Sequence, residues 1–156
     1  MNKVKTINNK SALIAYCGLY CEDCGGYSQD IAKAAEKLEA QLEKYKYYLT
    51  VQAMFSEQFK NYEEFTKNLN FLTQMKCPII CTQRDHTECN VWHCCREKGF
   101  AGCYECNEFE HCENIKNALG EIFYNACITN LKNIKEMGVD NWIENGTRYW
   151  FSCDVD

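Results

Sequence analysis

The chain holds a single proline, Pro78, in 156 residues, and no apolar run approaches the ~18 residues that a membrane span requires. Proline-rich linkers and transmembrane helices are thereby excluded from its organisation. Positive charge is also scarce. Seventeen Lys and Arg stand against 22 Asp and Glu, a formal net charge of -5. Phosphate backbones are held by clustered lysine and arginine, so this balance argues against a nucleic-acid partner. The basic grouping that remains, Lys132, Lys135 and Arg148, is modest. There is no low-complexity tract, no internal repeat, no serine–histidine–carboxylate order and no pair of catalytic carboxylates. Gly25-Gly26 reads as the flexible exit from a turn rather than a phosphate cradle. The opening Met1-Asn2-Lys3-Val4-Lys5 is not followed by an apolar signal segment, so a reducing cytoplasm is the expected compartment.

What the chain has instead is sulfur. Thirteen cysteines occupy positions 17, 21, 24, 77, 81, 89, 94, 95, 103, 106, 112, 127 and 153. Such a density means either a disulfide framework or bound metal, and the odd count together with the expected compartment favours metal. The hydrophobic fraction of 46% counts those cysteines, so the purely apolar core is smaller than it looks. Thiolate–metal bonds supply stabilisation in such a case, because binding metal to an unfolded chain is itself folding free energy.

Hydrophobic periodicity predicts a mainly α, single-domain protein, with metal-bound loops in place of a sheet. Its parts are an N-terminal cysteine motif over 11–27, helices over 28–75, a central cysteine cluster over 76–112 and C-terminal helices over 113–156. Ile31, Ala34, Ala35, Leu38, Leu42, Tyr45 and Leu49 form one stripe at helical spacing. Phe55, Phe59, Tyr62, Phe65, Leu69, Leu72 and Met75 form a second, with Asn61 and Glu64 as a capping box and a joint near residue 60. Core packing is expected for these aromatics. A third stripe runs from Ile115 to Met137, Gly138 ends it, and Asp140 is placed to cap a short helix carrying Trp142 and Ile143. The aromatic tail Tyr149-Trp150-Phe151 is expected to fold back on the core.

The cysteine spacings carry the chemistry. Cys17-x3-Cys21-x2-Cys24 contains an x2 knuckle, which closes one chelate turn around a tetrahedral ion. The same triplet has the spacing by which radical S-adenosylmethionine enzymes hold a four-iron cluster, but the strand–helix alternation of their barrel is missing. Cys103-x2-Cys106 is a second knuckle, and with Cys77 and Cys81 it makes a plausible tetrahedral set. Cys89, Cys94 and Cys112 remain to complete a second site with Cys21 and Cys24, which leaves five thiols for four places. Spacing does not settle the pairing. Side chains of adjacent Cys94 and Cys95 diverge, so Cys95 is read as a packed or a reactive thiol, with Arg96 and Lys98 near it in sequence. Cys127 lies on a helical apolar stripe and reads as core; Cys153 is open to either role. His86, His93 and His111 fall inside the central cluster, where thiols are already in surplus. Glu22 and Asp23 read as solvated charges.

Tyr16-Cys17-Gly18-Leu19-Tyr20-Cys21-x2-Cys24 resembles the opening signature of a cysteine-rich prokaryotic family, the domain of unknown function 3795. Cys89-x4-Cys94-x3-Lys98-Gly99-x3-Cys103-x2-Cys106-x5-Cys112 is similar to its central signature, and Asn130-Leu131-Lys132-x-Ile134-Lys135-Glu136-x-Gly138-x3-Trp142 to its C-terminal helix and turn. The resemblance implies a zinc-binding protein without an established activity.

The expectation is therefore a non-enzymatic zinc protein with about two ions held by closed four-ligand sites. Their ligands come from Cys17, Cys21, Cys24, Cys77, Cys81, Cys89, Cys94, Cys103, Cys106 and Cys112. Its partner would be another protein, not nucleic acid and not a membrane. The competing expectation is an iron-sulfur or reactive-thiol redox protein built on the Cys17, Cys21, Cys24 triplet.

Overall fold

A computed structural model describes residues 10–77 and 79–155; Met1 to Lys5 and Pro78 lie outside them. The described residues form α1 (Gly25–Ser28), α2 (Asp30–Lys44), α3 (Tyr47–Met54), α4 (Tyr62–Thr73), α5 (Asn90–Lys98), α6 (Glu113–Leu119), α7 (Glu121–Met137) and α8 (Val139–Asn145), with short 3-10 turns between them. Among these residues there is no strand, only an isolated antiparallel bridge between Ile14 and Tyr20. The protein is thus mainly α, as its periodicity predicts. No described helix is long and apolar enough to cross a membrane. Its contacts divide the chain into two compact units, Met1–Asp23 with Ile79–Asp156, and Cys24–Pro78.

In the unit Cys24–Pro78, α2 packs on α4 and on α3. The faces that are buried are narrow: Ala32 and Ala35 on α2, Val51 on α3 and Leu69 on α4. Most of the large residues in the two stripes stay exposed, including Ile31, Leu38, Phe55, Phe59, Phe65 and Leu72. The expected aromatic core is therefore corrected. A period of 3.6 residues locates an apolar stripe, but small alanines take the closest contacts and the bulky neighbours fall outside them. The joint near residue 60 is present, between Met54 and Tyr62. Asn61 precedes α4 without a side-chain cap, so the capping box does not form; Glu63 instead pairs with Lys67 one turn on, at 2.8 Å.

In the other unit, the chain reverses between Ile14 and Tyr20. The Ala15 N–H donates to the Leu19 carbonyl at 2.8 Å, and the Gly18 N–H donates to the Ala15 carbonyl at 2.9 Å. Gly18 has φ +91°, and a Cβ there would lie 2.9 Å from Leu131 Cγ and 3.2 Å from the Cys127 carbonyl oxygen. Glycine satisfies both demands: it tolerates the positive φ and lets the turn lie directly on α7. Asn130 of α7, fully buried, then ties two remote segments together. Its Nδ2 donates to the carbonyls of Gly18 at 3.1 Å and Tyr149 at 2.7 Å, while its Oδ1 accepts the Tyr149 N–H at 2.9 Å.

The tail accordingly returns to the core, with Phe151 against Phe123 at 5.6 Å between ring centroids. The predicted third helix is broken at Gly120, φ +66°, into α6 and α7. Asp140 lies in the first turn of α8 and is not its cap, a position held by Gly138. Trp142 is fully buried with its ring edge-on to Tyr20 at 6.0 Å. Burial pushes the Tyr20 phenol up to about 12.

The basic grouping is spent on local partners. Arg148 holds Asp23 through Nε at 2.7 Å and Nη2 at 3.4 Å, so Asp23 is an ion-pair partner and not a free solvated charge. Lys132 pairs with Glu110 at 2.7 Å, and Lys135 donates to Asn107 at 3.3 Å.

Three outcomes are expected. Gly18→Ala adds strain and a clash, and should cost about 2–4 kcal/mol in denaturant unfolding. Asn130→Ala strands two carbonyls and an N–H, and roughly 2–4 kcal/mol should be lost, read from the thermal and urea midpoints. Raising the folded pKa of an acid favours its neutral form. The Tyr20 contribution is therefore complete below the unfolded value of about 10 and is lost as pH climbs towards the folded value of about 12. Tyr20→Phe should flatten the alkaline decline of stability over that window relative to the parent.

Candidate metal centre

The sequence between α5 and α6 folds into a sulfur-lined cleft of about 570 Å³. Cys94 and Cys95 sit in the last turns of α5. Gly99 ends that helix at φ +68°, where its N–H donates to the Arg96 carbonyl at 3.3 Å and the Phe100 N–H donates to the Cys95 carbonyl at 2.9 Å. The chain turns back into the 3-10 turn Cys103–Glu105. That turn is anchored by the Cys103 N–H, which donates to the Tyr16 carbonyl at 2.8 Å. The Ala101 N–H donates to Glu105 Oε2 at 2.8 Å, so Glu105 braces the x2 knuckle from within. Buried Phe109 anchors the next turn, and Cys112 stands at the N-terminus of α6. Cys94, Cys95, Cys103, Cys106 and Cys112 all line the cleft, with His111 and Lys98.

A peptide donor and a cation lie beside these sulfurs. Cys106 Sγ accepts the Glu108 N–H at 3.5 Å. The Lys98 ammonium lies beside Cys94 and Cys106, whose proximity raises its pKa above the ordinary lysine range. Cys95 and Cys103 are buried with their Sγ atoms 3.5 Å apart. Their shared hydrogen bond lowers the pKa of Cys95 and, with burial, raises that of Cys103. Adjacent Cys94 and Cys95 do diverge: one is half-buried beside Lys98, the other packs against Cys103 in the core.

A second cleft of about 310 Å³ in the same unit is lined by Cys17, Cys81, His86 and Cys89, with Tyr16 and Trp92. His86 Nε2 and Trp92 Nε1 are buried without a hydrogen-bond partner. Burial first, and then Arg84, lowers the His86 pKa and keeps the ring neutral. Cys17 and Cys127 belong to one core cluster, and their interaction lowers the pKa of Cys17 and raises that of Cys127.

The predicted ligands thus separate. Cys94, Cys103, Cys106 and Cys112 share the first cleft, and Cys17, Cys81 and Cys89 the second. Cys81 is not on the cleft of Cys103 and Cys106. Cys24 and Cys77 approach each other in the unit Cys24–Pro78. There the Cys77 N–H donates to the Gly26 carbonyl at 2.8 Å, and a Cβ on Gly26 would lie 3.5 Å from Cys24 Sγ and 3.8 Å from Cys77 Cβ. Cys21 begins the 3-10 turn Cys21–Asp23. Cys127 is fully buried, as its stripe position predicts, and Cys153 is exposed. His93 faces the Thr87 carbonyl at 3.0 Å, so of the histidines it is the one on neither cleft.

Among the described residues no three His, Cys, Asp or Glu side chains converge on one ion position. The first cleft nonetheless has the donor chemistry of a thiolate site: soft sulfurs, a peptide N–H aimed at one of them and a neighbouring cation. Sequence reasoning missed the contact of Cys17 with Cys127. No local pattern announces it, because the partners are far apart in the chain and meet only through the Gly18 turn. No curated protein and no solved structure matches the chain. Residues 13–117 match the model of the family described as "Protein of unknown function (DUF3795)", and the chain belongs to that family.

Proposed function

We propose that this is a zinc-binding protein in which metal fixes the turns between α5 and α6 into a rigid interaction surface. Cys94, Cys103, Cys106 and Cys112 are the donors of the first site. What carries the reading is the gathering of these four sulfurs on one cleft beside Lys98, whose charge offsets part of a tetrathiolate's negative charge. Cys17, Cys81, His86 and Cys89 on the second cleft form a donor set for a further ion, and the unpartnered buried His86 Nε2 supports it. Binding draws each set inward by side-chain rotation.

Protein purified under reducing, oxygen-free conditions should contain zinc, at up to one equivalent per cleft, and show no visible absorbance. Cys106→Ser and Cys112→Ser should each lose one equivalent, whereas Cys153→Ser should lose none. Chelation should lower the thermal midpoint of the parent, because metal bound only to the folded state stabilises it. Iron with sulfide and a visible chromophore, or full zinc retention in Cys106→Ser, would overturn the assignment.

A further inference from the structure

Two pairs of thiols lie together in the core of the unit that carries the clefts, Cys95 against Cys103 and Cys17 in one cluster with Cys127. They differ in access. Cys127 is fully buried and lines neither cleft, whereas Cys95 and Cys103 both line the larger one while remaining only 1% and 8% exposed. Both residues of that pair therefore form part of the cleft wall, next to which a small solute in the cleft comes to lie. The Cys95 and Cys103 sulfurs are 3.5 Å apart, and a disulfide needs about 2 Å. The intervening segment can supply that adjustment. It is mostly exposed, and it turns at Gly99, around whose α-carbon a side chain would meet no atom within 4 Å.

We infer that Cys95 and Cys103 form a reversible dithiol–disulfide site at the floor of the cleft, with a small hydroperoxide as its oxidant. One thiol sulfur attacks a peroxide oxygen; the O–O bond breaks, giving a sulfenic acid and, for hydrogen peroxide, water. The second thiol sulfur displaces the sulfenic oxygen, which leaves as a second water with the thiol protons. The S–S bond that forms holds the two electrons' worth of oxidation, and the peroxide is reduced by two electrons. A thiol or dithiol reductant reverses the change by exchange. The pair itself requires no metal. Its consequence for metal rests on the zinc reading: a sulfur committed to Cys95 is withdrawn from the donors Cys94, Cys106 and Cys112.

The test treats the purified, reduced protein with one to a few equivalents of hydrogen peroxide, blocks remaining thiols, digests it and sequences linked peptides by mass spectrometry. A Cys95–Cys103 link reversed by dithiothreitol is expected as the main product. In Cys95→Ala, which keeps a small apolar side chain in the core, that link should be absent and zinc release under peroxide should slow at least tenfold. The inference is overturned if Cys95 and Cys103 remain alkylatable while other thiols oxidise, or if the dominant link joins a different pair. Fragment sequencing of the parent alone decides this, whether or not the variant folds. If the protein carries no zinc, the metal reading fails, and the link still decides the pair.

Discussion

Everything in the cysteine-bearing unit leans on one close approach, the Gly18 turn lying directly on α7. A backbone with no Cβ meets Leu131 and Cys127 there, and Asn130 beneath it converts the exposed carbonyl of the turn into a satisfied buried group. This contact sets the depth of Cys17, which reaches Cys127, and the position of the Tyr16 carbonyl, which receives the Cys103 N–H. The central cysteine turn is thereby attached to the N-terminal loop by backbone, before any metal is considered. The same asparagine holds Tyr149, so the C-terminal tail is fixed by the residue that fixes the N-terminal turn.

Cysteine plays two physical roles in this unit. In the core cluster, Cys17, Cys95, Cys103 and Cys127 occupy positions that a small aliphatic residue takes in other proteins, surrounded by Leu19, Val91, Ile115 and Leu131. On the cleft walls Cys94, Cys106 and Cys112 are half-buried; Lys98 lies near the first two, and a peptide N–H donates to Cys106. Cys103 belongs to both groups: it is packed against Cys95, yet it lines the cleft. That dual position connects the metal reading to the redox one, since a single sulfur cannot serve an ion and a disulfide at once.

The unit Cys24–Pro78 has a different character. Its helices bury alanines and a few aliphatic residues and leave much of their aromatic surface uncovered. Its charged residues balance, seven of each sign among 24–78, so the whole formal charge of -5 resides in the cysteine-bearing unit. A neutral, apolar helical surface and an acidic cysteine-rich one are suited to different kinds of contact, apolar burial for the first and charge complementarity for the second.

Sequence by itself determined the helical class, the joint near residue 60, the glycine that ends α7, the core placement of Cys127, and the family. Each of these is written in local spacing or in a short motif, and the signal survives without knowledge of what lies across the fold. It also pointed to the cysteines as the chemistry, though not to their grouping. Spacing suggested Cys77, Cys81, Cys103 and Cys106 together, whereas Cys81 faces a cleft with Cys17 and Cys89, and Cys103 and Cys106 share another with Cys94 and Cys112. Only the tertiary structure decided that division, because thiols are brought to one cleft by the direction in which each turn leaves its helix. It also decided that Cys95 meets Cys103, that Asp23 belongs to Arg148, and that the aromatic stripes of α2 to α4 stay exposed. Periodicity marks which residues share a face. What covers that face depends on packing between segments far apart in the chain, which no local pattern encodes.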